Sequence, residues 1–222
     1  MPVEVVAYRE EWPAQFGAVA AQLRGALARV ASADVEHVGS TSVPGLAAKP
    51  VIDIDVIVDR AEVPEAISAL QRIGYAHRGD LGVPGREAFR APDEEPVRNV
   101  YVGERDSLHV RNHLAVRDVL RRRDDLREAY AAAKRALAAD PGMDIDTYIA
   151  GKSRVLQEVL AASPLVSEEE RREIALLNRA PDPGPGRAGP RRPSPGAGDQ
   201  ATSVGAAAEA ATEGFRAQGR EP

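Results

Sequence analysis

The sequence predicts an α/β (α+β) fold, a small mixed sheet flanked by helices, with a tail behind it. Three observations carry this expectation. Short apolar runs of strand character alternate with segments whose apolar residues recur at helical spacing. The run VIDIDVIV (Val51–Val58) is β-branched and apolar apart from Asp53 and Asp55, as a buried strand is. After about residue 180 the composition turns to Pro and Gly, and large apolar side chains become scarce.

The elements follow in order. Val3–Tyr8 reads as a strand. Pro13 suits the first turn of a helix, with Phe16, Val19, Ala20, Leu23, Leu27 and Val30 at helical spacing. Val35–Val38 is β-like and ends at Gly39-Ser40-Thr41-Ser42, and Val51–Val58 is the second strand of this pair. Pro64 opens a helix with Ile67, Leu70 and Ile73 inward, stopped near Gly74. Tyr75–Arg78, Glu87–Arg90 and Val97–Val102 are short β-like pieces between Gly/Pro turns. From His113 the pattern is helical to about Ala139, with a break at Asp124-Asp125 where an Asp caps a new start. Asp146 is expected to cap the next helix, which carries Ile149, Leu156, Val159 and Leu160. Ser167 to Glu170 forms a capping box for a last helix ending at Asn178. Residues 1–180 thus form one domain, and 181–222 a disordered Pro/Gly/Ala-rich extension.

The chemistry concentrates between Val38 and Val56. Side chains alternate across a strand, so Ile52, Ile54, Val56 and Val58 share one face and Asp53 and Asp55 the other. Two neighbouring buried acids repel and lose hydration unless a cation or donors meet them. Mg²⁺, which takes oxygen ligands, is one partner, and arginines in structural ion pairs are the other. Gly39 allows close backbone approach. The hydroxyls and backbone N–H groups of Ser40, Thr41 and Ser42 either hold a phosphate or simply shape the turn. A P-loop fails on spacing, because Gly45 is not followed by Lys-Ser/Thr and Lys49 precedes Pro50, which has no N–H. Only three of the 29 basic residues are lysine, Lys49, Lys134 and Lys152, so each is a candidate for a task that Arg does not perform. His37 either points toward the acids or bonds within the sheet. His109 and His113 are spaced i,i+4 but carry no zincin-like carboxylate between them, and with His77 they make no metal-ligand pattern. Arg117 and Arg121 to Arg123 form a basic cluster near a helix end, usually a solvated face.

The stretch EHVGSTSVPGLAAKPVIDIDV resembles the signature of the GrpB family, also called UPF0157, uncharacterised proteins assigned to the nucleotidyltransferase superfamily of the DNA polymerase β type. Further pieces agree in order: Tyr8 with Glu11-Trp12-Pro13, Gly74-Tyr75, Asn99 to Val102, His113 to Arg121, Lys134, and Tyr148 with Lys152. Together they span about residues 3–163. The resemblance implies a minimal nucleotidyltransferase-like fold and Mg²⁺-dependent nucleotidyl transfer from an NTP to an acceptor. In that picture Asp53 and Asp55 hold Mg²⁺ and, with Lys49, make up the catalytic set. Gly39, Ser40, Thr41 and Ser42 seat the nucleotide phosphates with Arg117, Arg121 and Lys152, Arg117 also neutralising charge with Lys49. Active members of the superfamily usually add a third carboxylate on a later strand. Here that strand, Val97–Val102, offers Asn99 and Tyr101, leaving Glu36, Glu87 and Glu104 as substitutes if the fold brings them near. Two alternatives therefore stand beside the enzyme: an inactive module binding a nucleotide or phosphorylated metabolite, and a protein-interaction module. Fusion of such domains to dephospho-CoA kinase implies a link to coenzyme A biosynthesis.

Composition bounds the rest. The absence of an 18-residue apolar run or a charged-then-apolar leader predicts no membrane span and no secretory signal. Zero cysteines exclude disulfides and thiolate metal sites and fit a cytoplasmic protein. A net charge of −5 gives no signal for broad nucleic-acid binding.

Overall fold

The computed structural model describes residues 4–140 and 145–177, without the side chains of 145–150 and 177. It opens on α1 (Trp12–Ala26), which starts at Pro13, where a missing N–H costs nothing, and buries Trp12, Val19, Ala20 and Leu23. The segment ahead of it, expected as a strand, makes only one bridge. Val6 and Ala48 exchange backbone hydrogen bonds of 2.9 and 3.0 Å. Its partner is a loop residue, so no ladder propagates.

Five strands follow: β1 (Asp34–Val38), β2 (Ile52–Val58), β3 (Ala76–His77), β4 (Arg86–Arg90) and β5 (Arg98–Glu104). They form one sheet in the order β1-β2-β5-β4-β3. β2 and β5 run parallel, and the other pairs are antiparallel. This is the small mixed sheet with flanking helices that the sequence predicts. α2 (Val63–Arg72) connects β2 to the far side of the sheet and buries Ala66, Ala69 and Leu70. Ile73, expected inward, is 39% exposed. It lies past the helix end, where Gly74 at φ +94° turns the chain, so it drops out of the helical stripe.

The helical layer comprises α3 (Leu108–Arg122), α4 (Asp124–Ala138), α5 (Ile145–Ala161) and α6 (Glu168–Leu177). α3 begins five residues earlier than the sequence suggests because Ser107 is its N-cap, accepting from Val110 N at 3.3 Å. The break before α4 is real, but it falls on Arg123, whose backbone is extended. Asp124 and Asp125 lie in the first turn, where the helix dipole favours them, and do not cap it. The capping box at α6 forms as expected: Ser167 Oγ accepts from Glu170 N and Glu170 Oε2 accepts from Ser167 N. The side chains of Asp146 and Ile149, Asn178, and the tail expected after residue 180 lie outside the described residues.

The sheet separates two cores. Ile52, Ile54, Val56 and Val58 of β2 pack with Val100 and Val102 of β5 against α1 and α2. On the other side Val43 and Leu46, from the loop after β1, join the buried faces of α3 to α6. Among the described residues, no helix is long and apolar enough to cross a membrane.

Candidate functional site

The alternation along β2 places Asp53 and Asp55 on the sheet face covered by α3, both essentially without solvent exposure. Register extends this face into two rows. Val38, Asp53 and Asn99 form one, and Glu36, Asp55 and Tyr101 the other. Cross-strand partners point the same way, so these are neighbours in space.

Asp53 sits beneath the turn that follows β1. Gly39 has φ +68°, and a Cβ there would collide with the Asp53 carboxylate and come 2.8 Å from its Cγ. Glycine is thus required twice over, by backbone sign and by contact. Asn99 Nδ2 donates to Asp53 Oδ1 at 2.7 Å. The structure therefore joins the predicted Gly-Ser turn to the first acid of the pair.

The hydroxyls of the turn bond within the protein. Ser40 Oγ accepts from the buried ammonium of Lys134 at 2.8 Å, and Ser42 Oγ donates to Gly39 O at 2.7 Å. Thr41 Oγ1 donates to Val51 O at 3.0 Å and faces His37 Nε2 at 3.1 Å. With Thr41 acting as donor to the carbonyl, its bond to His37 requires the Nε2–H tautomer. The three hydroxyls brace the turn, as the simpler of the two expectations has it. Lys134, one of the three lysines and a piece of the family resemblance, is bonded to Ser40. Lys49 is half-buried ahead of β2, and Lys152 is buried on α5.

Asp55 meets imidazoles. His113 Nδ1 lies 2.7 Å from its Oδ2, and His109 Nε2 lies 3.5 Å from its Oδ1, beyond good hydrogen-bond length. Burial by itself raises the Asp55 carboxyl. The imidazoles of His113 and His109 outweigh it and hold the carboxyl below the ordinary range. Burial pushes His109 down to about 4, with His113 adding to the effect. Asp55, His109 and His113 have ligand atoms within 4.8 Å of one another, and all three are buried. His109 and His113, read from their spacing as no metal-ligand pattern, do join one here, because the carboxylate that completes it comes from a strand 54 residues earlier than His109.

His37 does not approach the acids. It is aligned with Ile54 on the α1 face and stacks on Phe16 with ring centroids 4.6 Å apart. Burial lowers its pKa to about 3, with Arg121 and Arg117 adding repulsion. The candidates for a third carboxylate are also sorted by parity. Glu87 and Glu104 align with Val102 and Val58, on the opposite face, where they meet His77 and Arg60. Glu36 shares the face of Asp55 but pairs with Arg117 at 2.5 Å.

These donors decide the fit of Mg²⁺. Mg²⁺ needs oxygens in near-octahedral array. Asn99 donates to Asp53 and two imidazoles lie against Asp55, and no third carboxylate stands at metal-ligand spacing with them among the described residues. The set of metal-ligand spacing contains Asp55 but not Asp53. Asp53 and Asp55 would give Mg²⁺ two carboxylates, and its remaining positions would fall to water or phosphate oxygens.

The basic residues of α3 divide in role. Arg117 donates to Glu36, to Asp118 at 2.7 Å and to His37 O, so its charge is matched. Arg121 donates twice to Ser42 O, at 3.0 and 2.8 Å, and forms no ion pair among the described residues. Its guanidinium borders a cleft of about 450 Å³ between the start of α1, the turn and the end of α3. Tyr8, Phe16 and His37 supply flat walls, and Arg127 a second guanidinium, itself 2.9 Å from Asp124.

Comparison with known proteins agrees on one family. The model described as GrpB protein matches residues 2–162. A UPF0157 protein of Halalkalibacterium halodurans is 35% identical over 162 residues, covering 71% of this chain and 80% of that one. The UPF0157 protein YqkA of Bacillus subtilis is 32% identical over 151 residues, 68% of this chain but 44% of that protein. The chain therefore spans less than half of that relative. The crystal structure of conserved protein GrpB from Enterococcus faecalis aligns with a TM-score of 0.62 at 34% identity, over 71% of this chain and 98% of that one. A likeness to Cid1 poly(U) polymerase, at 15% identity and TM-score 0.38, is too slight to bear on the site.

Proposed function

The chain belongs to the GrpB family, and from that membership and the cleft beside its Gly-Ser turn we propose that it binds a nucleotide or another phosphorylated small molecule without transferring it. The observation that carries the reading is Arg121. It is anchored by Ser42 O, forms no ion pair among the described residues, and is set at a cleft walled by aromatic rings. A guanidinium held in this way suits phosphate oxygens, and the Tyr8, Phe16 and His37 rings suit a flat base or sugar face. Glu36 and Asp118 neutralise Arg117, so of the two arginines that the resemblance singles out for phosphate, Arg121 is the better suited.

The absence of transfer rests on Asn99. It stands in register beside Asp53 and donates to it, where an active site of the resembling superfamily places a further acid. Positive charge must be supplied to two oxygens for two-metal phosphoryl chemistry, and this face supplies donors to the acids instead.

Thermal stabilisation of the full chain by a panel of nucleoside triphosphates, diphosphates and sugar phosphates tests the reading, since a ligand that binds only the folded state stabilises it. One class should raise the melting temperature, with or without Mg²⁺, and Arg121→Gln should abolish the rise. Labelled product formed by the wild type with Mg²⁺, and lost in an Asp53→Asn, Asp55→Asn double variant, would restore the enzyme reading with Asp53, Asp55 and Lys49 as its catalytic set. No stabilisation by any member of the panel would leave the interaction module.

A further inference from the structure

We propose that Asp55, His109 and His113 form a buried site for one divalent metal of the Zn²⁺ type, which pins α3 to β2. The first ground is the donor set. One carboxylate and two imidazoles within 4.8 Å of one another suit Zn²⁺, Co²⁺ or Fe²⁺ and do not suit Mg²⁺. The 3.5 Å between Asp55 Oδ1 and His109 Nε2 is close to the edge length of a tetrahedron whose ligands stand about 2.0–2.1 Å from the metal.

The second ground is the state of the polar atoms. Asp55 Oδ1, both ring nitrogens of His109 and Nε2 of His113 are buried and have no hydrogen-bond partner among the described residues. Most buried polar groups are paired, and four unpaired atoms in one site call for a ligand. The bond from His113 Nδ1 to Asp55 Oδ2 satisfies one donor and leaves these four as they are. One charge works against the site. The buried Arg86 guanidinium lies over the Tyr101 ring on the same face, 5.0 Å from its centroid. A carboxylate among the ligands offsets it, and three protein donors leave a fourth position for water or hydroxide.

The geometry explains what the metal does for the fold. Asp55 belongs to β2, and the two histidines lie one turn apart on α3. Gly103 lets α3 approach β5 closely, because a Cβ there would come 2.5 Å from Val110 Cγ2. A metal between Asp55 and the histidines would fix the same contact from the neighbouring strand.

The experiment uses the full chain, stripped of metal under mild denaturation and refolded with Zn²⁺, Co²⁺ or Mg²⁺ as the only added ion, without nucleotide or phosphate. After dialysis the wild type should retain one Zn²⁺ or Co²⁺ per chain and no Mg²⁺. The Co²⁺ form should show the visible absorption of tetrahedral or five-coordinate nitrogen–oxygen ligation. His109→Gln and His113→Gln should each weaken retention by about 100-fold or more, as loss of one of three donors implies. Wild type that refolds and holds neither metal overturns the proposal, as does retention unchanged in both variants. The Co²⁺ spectrum of the wild type decides even if a variant fails to fold. No phosphate ligand enters the assay, so its outcome is separate from that of the cleft.

Discussion

At the scale of single residues, Gly39 and His37 carry the sharpest consequences. Gly39 combines positive φ with a contact that leaves no room for a side chain over Asp53. Gly39→Ala should therefore destabilise the chain by about 2 kcal/mol or more in urea unfolding. Adding Asp53→Ala should recover part of the loss, because it removes the carboxylate but leaves the backbone strain. A double-mutant cycle with no coupling would show that the contact is not the cause. His37 gives a pH dependence. Its imidazole is held at about 3 when folded, by burial and by Arg121 and Arg117, while the unfolded chain takes a proton near 6.5. Below that value the unfolded state binds more protons, so stability falls as pH drops from about 6.5 toward 3 and is fully present above 6.5. Between about pH 7.5 and 5, wild type should lose about 1–2 kcal/mol more than His37→Gln, which keeps a donor for Thr41 but does not titrate. Equal losses would mean that His37 takes up its proton as readily when folded.

At the scale of elements, the placement of α3 matters most. Its start at Ser107 puts both histidines in one helix, and its C-terminal half brings Arg117 and Arg121 to β1 and the turn. Gly103 on β5 sets the distance between helix and sheet. Val110 is β-branched and stiff, so Gly103→Ala must move it or the helix. The expected cost is about 1–3 kcal/mol, recovered in large part by Val110→Ala in the same chain. Chemical denaturation of the two variants checks this, and a neutral Gly103→Ala would show that α3 slides without penalty.

For the whole molecule, the sheet stands between two separate cores, one with α1 and α2 and one with α3 to α6. Among the described residues, the last one buried in either core is Ile174. The chain after residue 180 has the composition of a segment with little to bury. A chain ended after Ala180 should melt within about 2 °C of full length in a calorimetric scan, since surface changes away from packed features fall within about 0.5 kcal/mol. A larger fall would show that the extension docks on the domain.

The sequence by itself determined the elements whose signals are local. Alternation in Val51–Val58 set the strand and separated the acids from the core face. Pro13, Pro64 and the Ser167 capping box set helix starts, because cap and ring chemistry act within one turn. The Gly39 turn and the acidic pair were legible as motifs, but not that the turn meets Asp53 while Asp55 meets imidazoles. The tertiary structure alone decided which face each partner occupies. It sent His37 to Phe16, Glu87 and Glu104 across the sheet, Lys134 to Ser40, and His109 and His113 to Asp55. Those choices rest on strand register and on where α3 crosses the sheet. Each is fixed by packing between segments tens of residues apart, for which no local spacing in the chain carries a mark.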